Sequence, residues 1–482
     1  MVELTAAEAL PTRRPNYRTT ALIIASTLFM EQLDSTVLAT ALPTMARYFN
    51  VTPSHMSIAL TSYLLSLAVL IPASGYLAER FGARSVFSSA IVIFTLGSIL
   101  CGASVSLPTL VGARVFQGLG GAMMVPVGRL VLLRSVEKSD LVRALAYLTI
   151  PAMIGPVLGP PLGGFITTYF NWRWIFWINV PIGVLGVGLS LAFIENLREA
   201  EVTPFDFKGF GLSGFGLAAT MLGVTLVGRE TAPPWVVAAL IVGGLASLAA
   251  YVRHARRDPN AILDLSLLRT PTFFSSAIGG FIFRIGIGAI PFLMPLMLQI
   301  GFGLSPFAAG SLTFAAAAGA MAMKFTATRI LRQWGFRSVL IANALISGIF
   351  LASYGLFSAS TPHWLIFGAL LLGGFFRSLE FTALNAIGYA DIPLPKMSRA
   401  TSFSSVSQQL SQSAGVAVGA AAIEISSFAY GDGALVARDF SAAFFIVALV
   451  SAASVLIFMR LRSDAGAEVS GQRDSAVHSA AE

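Results

Sequence analysis

Apolar stretches of about twenty residues recur along almost the whole chain, and this recurrence limits its possible folds more than any other feature. A bilayer-spanning helix needs a stretch of about this length. Short polar segments separate the stretches. We place fourteen of them, near residues 20–42, 55–77, 86–106, 108–133, 141–166, 174–194, 207–227, 234–253, 272–298, 306–325, 336–357, 363–388, 402–428 and 440–461. The pattern predicts an all-α polytopic membrane protein with fourteen transmembrane helices.

The composition supports lipid as the main solvent of this chain. Only 11% of its 482 residues are charged and 56% are hydrophobic, whereas an ordinary soluble domain carries about 25% charged residues. The first nineteen residues are polar, and the apolar run after them is long enough to span, so it predicts a first membrane helix and not a cleaved signal peptide. Cys101 is the single cysteine, which excludes an intrachain disulfide.

Lysine and arginine are distributed unevenly between alternate loops. With the N-terminus placed in the cytoplasm, the outer loops receive only Arg47, Arg173, Arg229 and Arg438, and the cytoplasmic loops receive far more basic residues. This asymmetry predicts an even number of helices, both termini in the cytoplasm and a bacterial inner membrane. The net charge of +8 is then a topology signal and does not indicate nucleic-acid binding.

Two loops indicate an internal repeat. The loops after helix 2 and helix 10 both end in an aromatic residue, a glycine, any residue and an arginine, at 81–84 and 334–337. Helices 1–6 and 9–14 are therefore expected to be two homologous halves, with helices 7 and 8 inserted between them. The predicted units are a cytoplasmic segment (1–19), an N-terminal six-helix bundle (20–200), an inserted hairpin (201–258), a C-terminal six-helix bundle (259–462) and a disordered cytoplasmic tail (463–482).

Two carboxyl groups fall inside the first membrane helix. Glu31 and Asp34 are three residues apart, which places them on one helix face. A carboxylate at this depth is costly unless it is protonated or paired. Arg114, in helix 4, lies at a depth compatible with Asp34. Proton coupling and a permanent structural ion pair are both consistent with this pattern.

Further polar groups lie inside the C-terminal half. Arg284, Arg377 and Glu380 fall near mid-membrane, where each cation must face a cavity or a partner. Two buried arginines could attract an anionic substrate, or Arg377 and Glu380 could satisfy each other. Helix 13 carries many hydroxyl and amide groups, which do not belong against lipid. We assign to the substrate cavity the residues Gln117, Arg284, Arg377, Glu380, Gln408 and Gln412.

Five stretches resemble the fourteen-helix drug:proton antiporters of the major facilitator superfamily, a group that includes the EmrB- and QacA-like proteins. They are the helix 1 signature 33–43, the loop motif 75–84, the helix 4 motif 114–122, the helix 5 motif 155–164 and the stretch 172–183. Within that family, 120–129 and parts of 284–307 resemble the MdtD-type branch. One departure is Glu79, where the loop motif usually has aspartate.

The resemblance implies roles for the matching residues. It places Asp34 and Arg114 in proton coupling, and we add Glu31, which has no counterpart in the family motif. It implies a cytoplasmic gate that breaks when the halves rock, formed by Gly75, Glu79, Arg80, Gly82 and Arg84. The alternative for these five loop residues is that they only contribute to the excess of positive charge in the cytoplasmic loops. It also implies an antiporter motif in helix 5, formed by Gly155, Pro156, Gly159, Pro160, Gly163 and Gly164.

The function expected from these features is proton-coupled export of small molecules, multidrug efflux first of all. Export of a small organic anion or a metal chelate is the alternative, and a non-transporting membrane receptor is a remote one. The sequence contains no nucleotide-binding loop, metal-ligand cluster or hydrolytic triad. We therefore expect no enzyme activity, no metal site and no cofactor, with the proton gradient as the energy source. We expect a monomer in the lipid bilayer, and nothing indicates a periplasmic adaptor.

Overall fold

A computed structural model describes most of the chain. The described residues are 17–135, 141–196, 204–226, 232–258, 260–393, 396–430 and 435–470. For residues 17, 133–135, 141–146, 148–153 and 470 the description covers the backbone alone. The predicted cytoplasmic segment is outside the description up to residue 16, and the predicted tail is outside it from residue 471.

Fourteen long helical segments follow one another. They are α1 Tyr17–Phe49, α2 Ser57–Phe81, α3 Ala83–Ala103, α4 Leu107–Ser135, α5 Leu141–Tyr169, α6 Trp174–Phe193, α7 Phe207–Leu226, α8 Pro234–Ala255, α9 Pro271–Gly301, α10 Pro306–Met323, α11 Ala327–Tyr354, α12 His363–Ala390, α13 Met397–Tyr430 and α14 Ala437–Phe458. A short α15, Ala467–Ser470, follows.

The length and composition of these helices suit a bilayer. Thirteen of them are long and apolar enough to cross a membrane, and α5 is the fourteenth long helix, with 29 residues. No β-strand occurs in the part of the chain that the structure describes. The predicted fold class, an all-α membrane protein with two six-helix halves and an inserted hairpin, is confirmed.

The two halves repeat one local structure at the same end of the bundle. Gly82, between α2 and α3, has φ +89°, and Gly335, within α11, has φ +71°, values that favour glycine. Two residues after each glycine, an arginine donates a hydrogen bond of 3.4 Å to a backbone carbonyl just beyond the last helix of its own half. Arg84 donates to the carbonyl of Ile194, and Arg337 donates to that of Met459. We call this end of the bundle the basic end, because it carries Arg80, Arg84, Arg329, Arg332 and Arg337.

The inserted hairpin α7–α8 lies beside the N-terminal half, where α7 packs against α2. The halves meet mainly through the helix pairs α5 with α10, α2 with α13, and α1 with α9. Facing helices of the two halves therefore enclose the space between them.

Several predicted boundaries differ from the structure by a few residues, and that of helix 11 differs most. Helix 11 is predicted to begin at residue 336, but α11 begins at Ala327, because a short helix precedes the turn at Gly335. The predicted disordered tail begins at residue 463, and the structure describes its residues 463–470. There Gly466 approaches Phe336 closely, and α15 contacts α11 and α12.

Candidate functional site

Asp34 is the centre of a buried polar cluster in the N-terminal half. Its carboxylate forms an ion pair of 2.6 Å with the Arg114 guanidinium, and neither side chain is more than 1% exposed. The other carboxylate oxygen accepts hydrogen bonds from Gln117 at 3.0 Å and Asn179 at 2.9 Å. Both amides also donate to the Ser98 hydroxyl, at 2.8 and 3.2 Å. The cluster thus joins α1, α3, α4 and α6.

Arg114 is held on several sides. Its Nε donates to the backbone carbonyl of Ala59 at 3.2 Å, and an Nη donates to Gln117 at 2.6 Å. The guanidinium carbon lies 4.2 Å from the ring centre of Tyr63, within cation–π range. A buried guanidinium stays charged and needs such compensation. The predicted meeting of Asp34 and Arg114 is thus present in this structure.

Glu31 is buried next to this cluster but lies outside its hydrogen-bond network. It is 5% exposed, and its Oε2 has no hydrogen-bond partner among the described residues. The salt bridges within the described ranges do not include it. Its carboxyl interacts electrostatically with Asp34, with the Tyr63 hydroxyl and with Arg129. Tyr63 therefore interacts with both Glu31 and Arg114.

A cavity of about 350 Å³ lies between the two halves, and Gln32 and Thr36, two positions before and after Asp34 on α1, line it. Its wall combines residues of α1 and α5 with residues of α9, α10 and α12, so both halves contribute. Apolar side chains form most of the wall. Its polar members are Gln32, Thr36, Thr40, Thr313, Lys324, Arg377 and Ser378.

The cavity wall is cationic. Lys324 and Arg377 are its charged members, and no aspartate or glutamate is among its lining residues. Lys324 donates to the Thr382 hydroxyl at 3.0 Å. No hydrogen bond or ion pair links Arg377 to another residue in the described ranges. Positive charge with no acidic partner on the wall favours a ligand that carries negative charge.

The six predicted cavity residues do not share one location. Arg377 lines the cavity, whereas Gln117 belongs to the Asp34 cluster. Arg284 and Glu380 are 2% and 0% exposed, and neither lines the cavity. Glu380 accepts a hydrogen bond from Asn343 at 3.0 Å, and no contact pairs it with Arg377.

Two further predicted cavity residues lie on α13, away from this wall. Gln408 donates to Asn385 at 3.1 Å, and the backbone of Gln412 packs closely against Gly288. Neither is among the lining residues of this cavity.

The motif in α5 has two contact faces. A side chain at Gly155, Gly159 or Gly163 would meet α1 closely, at Gln32, Thr36 and Thr40 respectively. The spacing of four residues places these glycines on one face, so α1 and α5 approach closely. Pro156 and Pro160 line the cavity.

Gly164 faces the other half. A side chain there would meet the backbone of Pro306 and Phe307, and one at Gly310 would meet the backbone of Pro160. The halves are also joined near this end by hydrogen bonds from Gln299 to the Thr40 carbonyl, at 2.9 Å, and from the Phe307 amide to Thr168, at 3.1 Å. The end of the bundle opposite the basic end is therefore closed.

The predicted gate residues lie at the basic end and contact their own half. Gly75 is open to its surroundings, and Gly82 is packed against Asn196. Arg80 donates to Tyr76 at 2.8 Å. Among the described residues, no ion pair or hydrogen bond links Glu79, Arg80 or Arg84 to the C-terminal half. A gate role for them stays a prediction.

Comparison with known proteins agrees with this architecture. The family profile described as Major Facilitator Superfamily matches residues 24–269 and 276–481. Curated relatives from Salmonella heidelberg (strain SL476) and Salmonella typhimurium (strain LT2) carry the name "Putative multidrug resistance protein MdtD". Each is 40% identical to this chain over 398 residues, which are 82% of this chain and 84% of the relative.

Two solved structures share the fold at low sequence identity. The POT family transporter PepTSo has a TM-score of 0.68 and 13% identity over 92% of this chain and 97% of its own. The human organic anion transporter MFSD10 has a TM-score of 0.62 and 14% identity over 92% and 100%. From the family match and the 40% identity, this chain belongs to the Major Facilitator Superfamily.

Proposed function

We propose that this protein is a proton-coupled exporter of small molecules that works by alternating access, with multidrug efflux as the first candidate activity. The observation that carries the proposal is the buried Asp34–Arg114 pair, on the same helix α1 that contributes Gln32 and Thr36 to a cavity shared by both halves. The relatives named as multidrug resistance proteins support efflux of drugs in particular.

The Asp34 cluster can couple proton binding to the position of the helices. Asp34 on α1 accepts from donors on α4 and α6, so its charge is stabilised only while these helices hold their present arrangement. If the change of state moves α1 relative to α4 within the N-terminal half, the carboxylate loses its partner and takes up a proton. A neutral carboxyl can then pass through the occluded state at lower cost.

The closed end determines which side the cavity faces. The α5–α10 contact seals the end opposite the basic end. We infer from the distribution of Lys and Arg that the basic end and both termini face the cytoplasm and that the membrane is the bacterial inner membrane. The structure then corresponds to the state that accepts substrate from the cytoplasm.

The test is transport by the full chain in proteoliposomes with an imposed proton gradient. We expect accumulation of a cationic dye that collapses with the gradient and is lost in Asp34→Asn, while the variant still inserts in the membrane. The matched control is Asp464→Asn, an exposed acid near the chain end. Uptake that ignores the gradient, or that survives Asp34→Asn, would contradict the proposal.

A second candidate, export of a small organic anion or its metal chelate, is favoured by one observation. The cavity wall holds Lys324 and Arg377 and no acidic residue. The same assay distinguishes the two candidate functions when a citrate-like anion replaces the dye. Substrate-driven proton movement with the anion alone would select this function and exclude drug efflux.

Other expectations complete the proposal. We propose that the protein works without a cofactor and without an enzymatic step, driven by the proton gradient, as a monomer in the bilayer. These points rest on the sequence and on the transporter family to which the chain belongs. The tests are the assay above in the absence of ATP, and the measured mass of the protein in lipid nanodiscs.

A further inference from the structure

Three side chains that can bind a metal meet at the base of the inserted hairpin, at the basic end. Asp206 lies just before α7, His254 lies in the last turn of α8, and Asp258 follows one turn later. The Nε2 atom of His254 is 2.8 Å from Oδ1 of Asp206 and 3.7 Å from Oδ2 of Asp258. All three ligand atoms lie within 4.8 Å of one another. We propose that these residues form a binding site for a divalent transition-metal ion of the zinc type.

The spacing of the atoms suits such an ion. Zinc bonds nitrogen and oxygen at about 2.0–2.2 Å in a tetrahedron, so its ligand atoms are roughly 3.4 Å apart. The two distances from His254 lie on either side of that value. Small movements of the three side chains would bring them to three positions of the tetrahedron. Water can supply the fourth, since Asp258 is 35% exposed.

Backbone hydrogen bonds already fix both carboxylates. Asp206 accepts from the amide of Gly209 at 2.7 Å and from that of Ile262 at 3.2 Å. Asp258 accepts from the amide of Asn260 at 2.8 Å through its other oxygen. Outer hydrogen bonds of this kind orient the ligands of metal sites. The three side chains therefore need little reorganisation to bind an ion.

The charges around the site point to a cation and not to a structural ion pair. Arg253, Arg256 and Arg257 are close in sequence, yet none forms an ion pair with Asp206 or Asp258 in the described part of the chain. Two carboxylates beside one imidazole leave the site anionic, because the carboxylates outnumber any positive charge on the imidazole. A mixed nitrogen and oxygen set suits zinc-type ions, whereas Mg²⁺ and Ca²⁺ prefer oxygen ligands alone.

A bound ion would fasten the two ends of the hairpin to each other, because it would join the start of α7 to the end of α8. The base of the hairpin is also linked toward the C-terminal half, since Tyr251 forms two hydrogen bonds of 2.8 Å with Leu263. The next residue, Asp264, forms ion pairs with Lys396, at 3.6 Å, and Arg399, at 4.0 Å, beside the start of α13. The sequence shows no such cluster, because Asp206 and His254 are 48 positions apart.

The experiment is calorimetric titration of the full chain, without a histidine tag, in lipid nanodiscs with ZnCl₂ and then with MgCl₂. We expect one zinc ion per chain and no heat from magnesium. We expect zinc affinity to fall at least about tenfold in His254→Gln and in Asp258→Asn, which leaves the α7 cap of Asp206 intact. The matched control is His363→Gln, an exposed histidine at the other end of the bundle, which should bind as the unchanged chain does.

Two outcomes would overturn the proposal. One is the absence of zinc binding by the unchanged chain, in which case the Asp206–His254 contact is a helix cap. The other is equal zinc affinity in His254→Gln and His363→Gln. The site shares no residue with the Asp34 cluster or the cavity, so its failure would leave the proposed transport function intact, and the reverse also holds.

Discussion

Glu31 and Asp34 lie one helical turn apart on α1, but within the described residues only Asp34 of the two forms an ion pair, with Arg114 at 2.6 Å. Tyr63 interacts with both sides of this arrangement, since its ring packs on the Arg114 guanidinium and its hydroxyl interacts with Glu31. Neighbouring positions on one helix thus have different electrostatic surroundings. The two acids should respond differently to substitution.

Substitutions of the ion pair should be strongly non-additive. Asp34→Asn leaves the fully buried charge of Arg114 without its counter-charge, so we expect the free energy of unfolding to fall by about 3–5 kcal/mol. Arg114→Gln should have a similar effect. The double variant should lose less than the sum of the two, because no unpaired charge remains. Denaturant unfolding in nanodiscs measures all three, and strict additivity would contradict a direct pair.

Glu31→Gln should reduce proton coupling without lowering the free energy of unfolding appreciably. Glutamine keeps the shape of the side chain and removes a charge that has no ion-pair partner. We expect the free energy of unfolding to stay within about 1 kcal/mol of the original value or to rise. Proton movement per exported substrate should fall in proteoliposomes while export continues. An unchanged ratio would exclude Glu31 from coupling, and Gln32→Glu gives a control acid on the cavity wall.

Gly164→Val should open the end of the bundle opposite the basic end. The added side chain would meet the backbone of Pro306, so we expect α5 and α10 to separate. The measurement is labelling of Ala317→Cys, on the cavity wall, by a membrane-impermeant maleimide from that side. We expect labelling to rise several-fold over a low background, since Cys101 is buried. Gly188→Val, which has open space around it, is the control, and equal labelling in both would refute the α5–α10 seal.

The cavity cations should set the affinity for anionic ligands. Arg377→Gln and Lys324→Gln each remove one positive charge from the wall. We expect each to weaken binding of a citrate-like anion about tenfold, which corresponds to about 1.4 kcal/mol. Competition in the transport assay measures this. Arg329→Gln removes an exposed charge at the same end and serves as the control. An equal loss in all three would indicate a general surface effect.

Asp264 should contribute stability that depends on pH. Burial raises the pKa of its carboxyl, but hydrogen bonds from Ser266 and the charges of Lys396 and Arg399 outweigh this and leave the pKa below its ordinary value of 3.8. A lowered pKa in the folded state means that the contribution is complete above pH 3.8 and is lost as pH falls through the folded-state pKa.

Asp264→Asn should therefore destabilise the protein near neutral pH by no more than about 1 kcal/mol. The difference from the unchanged chain should disappear in acid. Thermal unfolding across a pH series measures it, with the exposed Asp464→Asn as the control. A difference that grows as pH falls would contradict this assignment.

The fold could be predicted almost completely from the sequence, for a physical reason. Apolar length determines which segments span a bilayer, and loop charge determines their orientation, so neither property needs tertiary information. The turn glycines Gly82 and Gly335 could also be recognised in the sequence, because a backbone conformation that favours glycine is a local property.

The site was only partly predictable. The position of each residue within its apolar stretch predicts that Asp34 and Arg114 lie at a similar depth in the membrane. It does not predict the direction in which a side chain points. Gln117 was therefore assigned to the cavity, although it binds Asp34. Asn179 and Ser98 were missed as partners, although an asparagine inside an apolar helix is a recognisable signal.

The C-terminal half shows the same limit. Arg377 and Glu380 are one turn apart, and pairing between them was one of two predicted arrangements. In the structure Glu380 faces Asn343 on α11, and Arg377 faces the cavity. The rotation of α12 decides between these arrangements, and it depends on the close packing of Gly374 against α10, which no single-helix pattern contains.

The reciprocal contacts of Gly164 with Pro306 and of Gly310 with Pro160 involve main-chain atoms on both sides. A main chain cannot rotate out of the way as a side chain can, so only the displacement of an entire helix makes room there. If the cavity holds the cargo as proposed, cargo preference depends on side chains such as Lys324 and Arg377. New cargo could thus be acquired by exchanging wall residues while the watertight closure of the bundle stays the same.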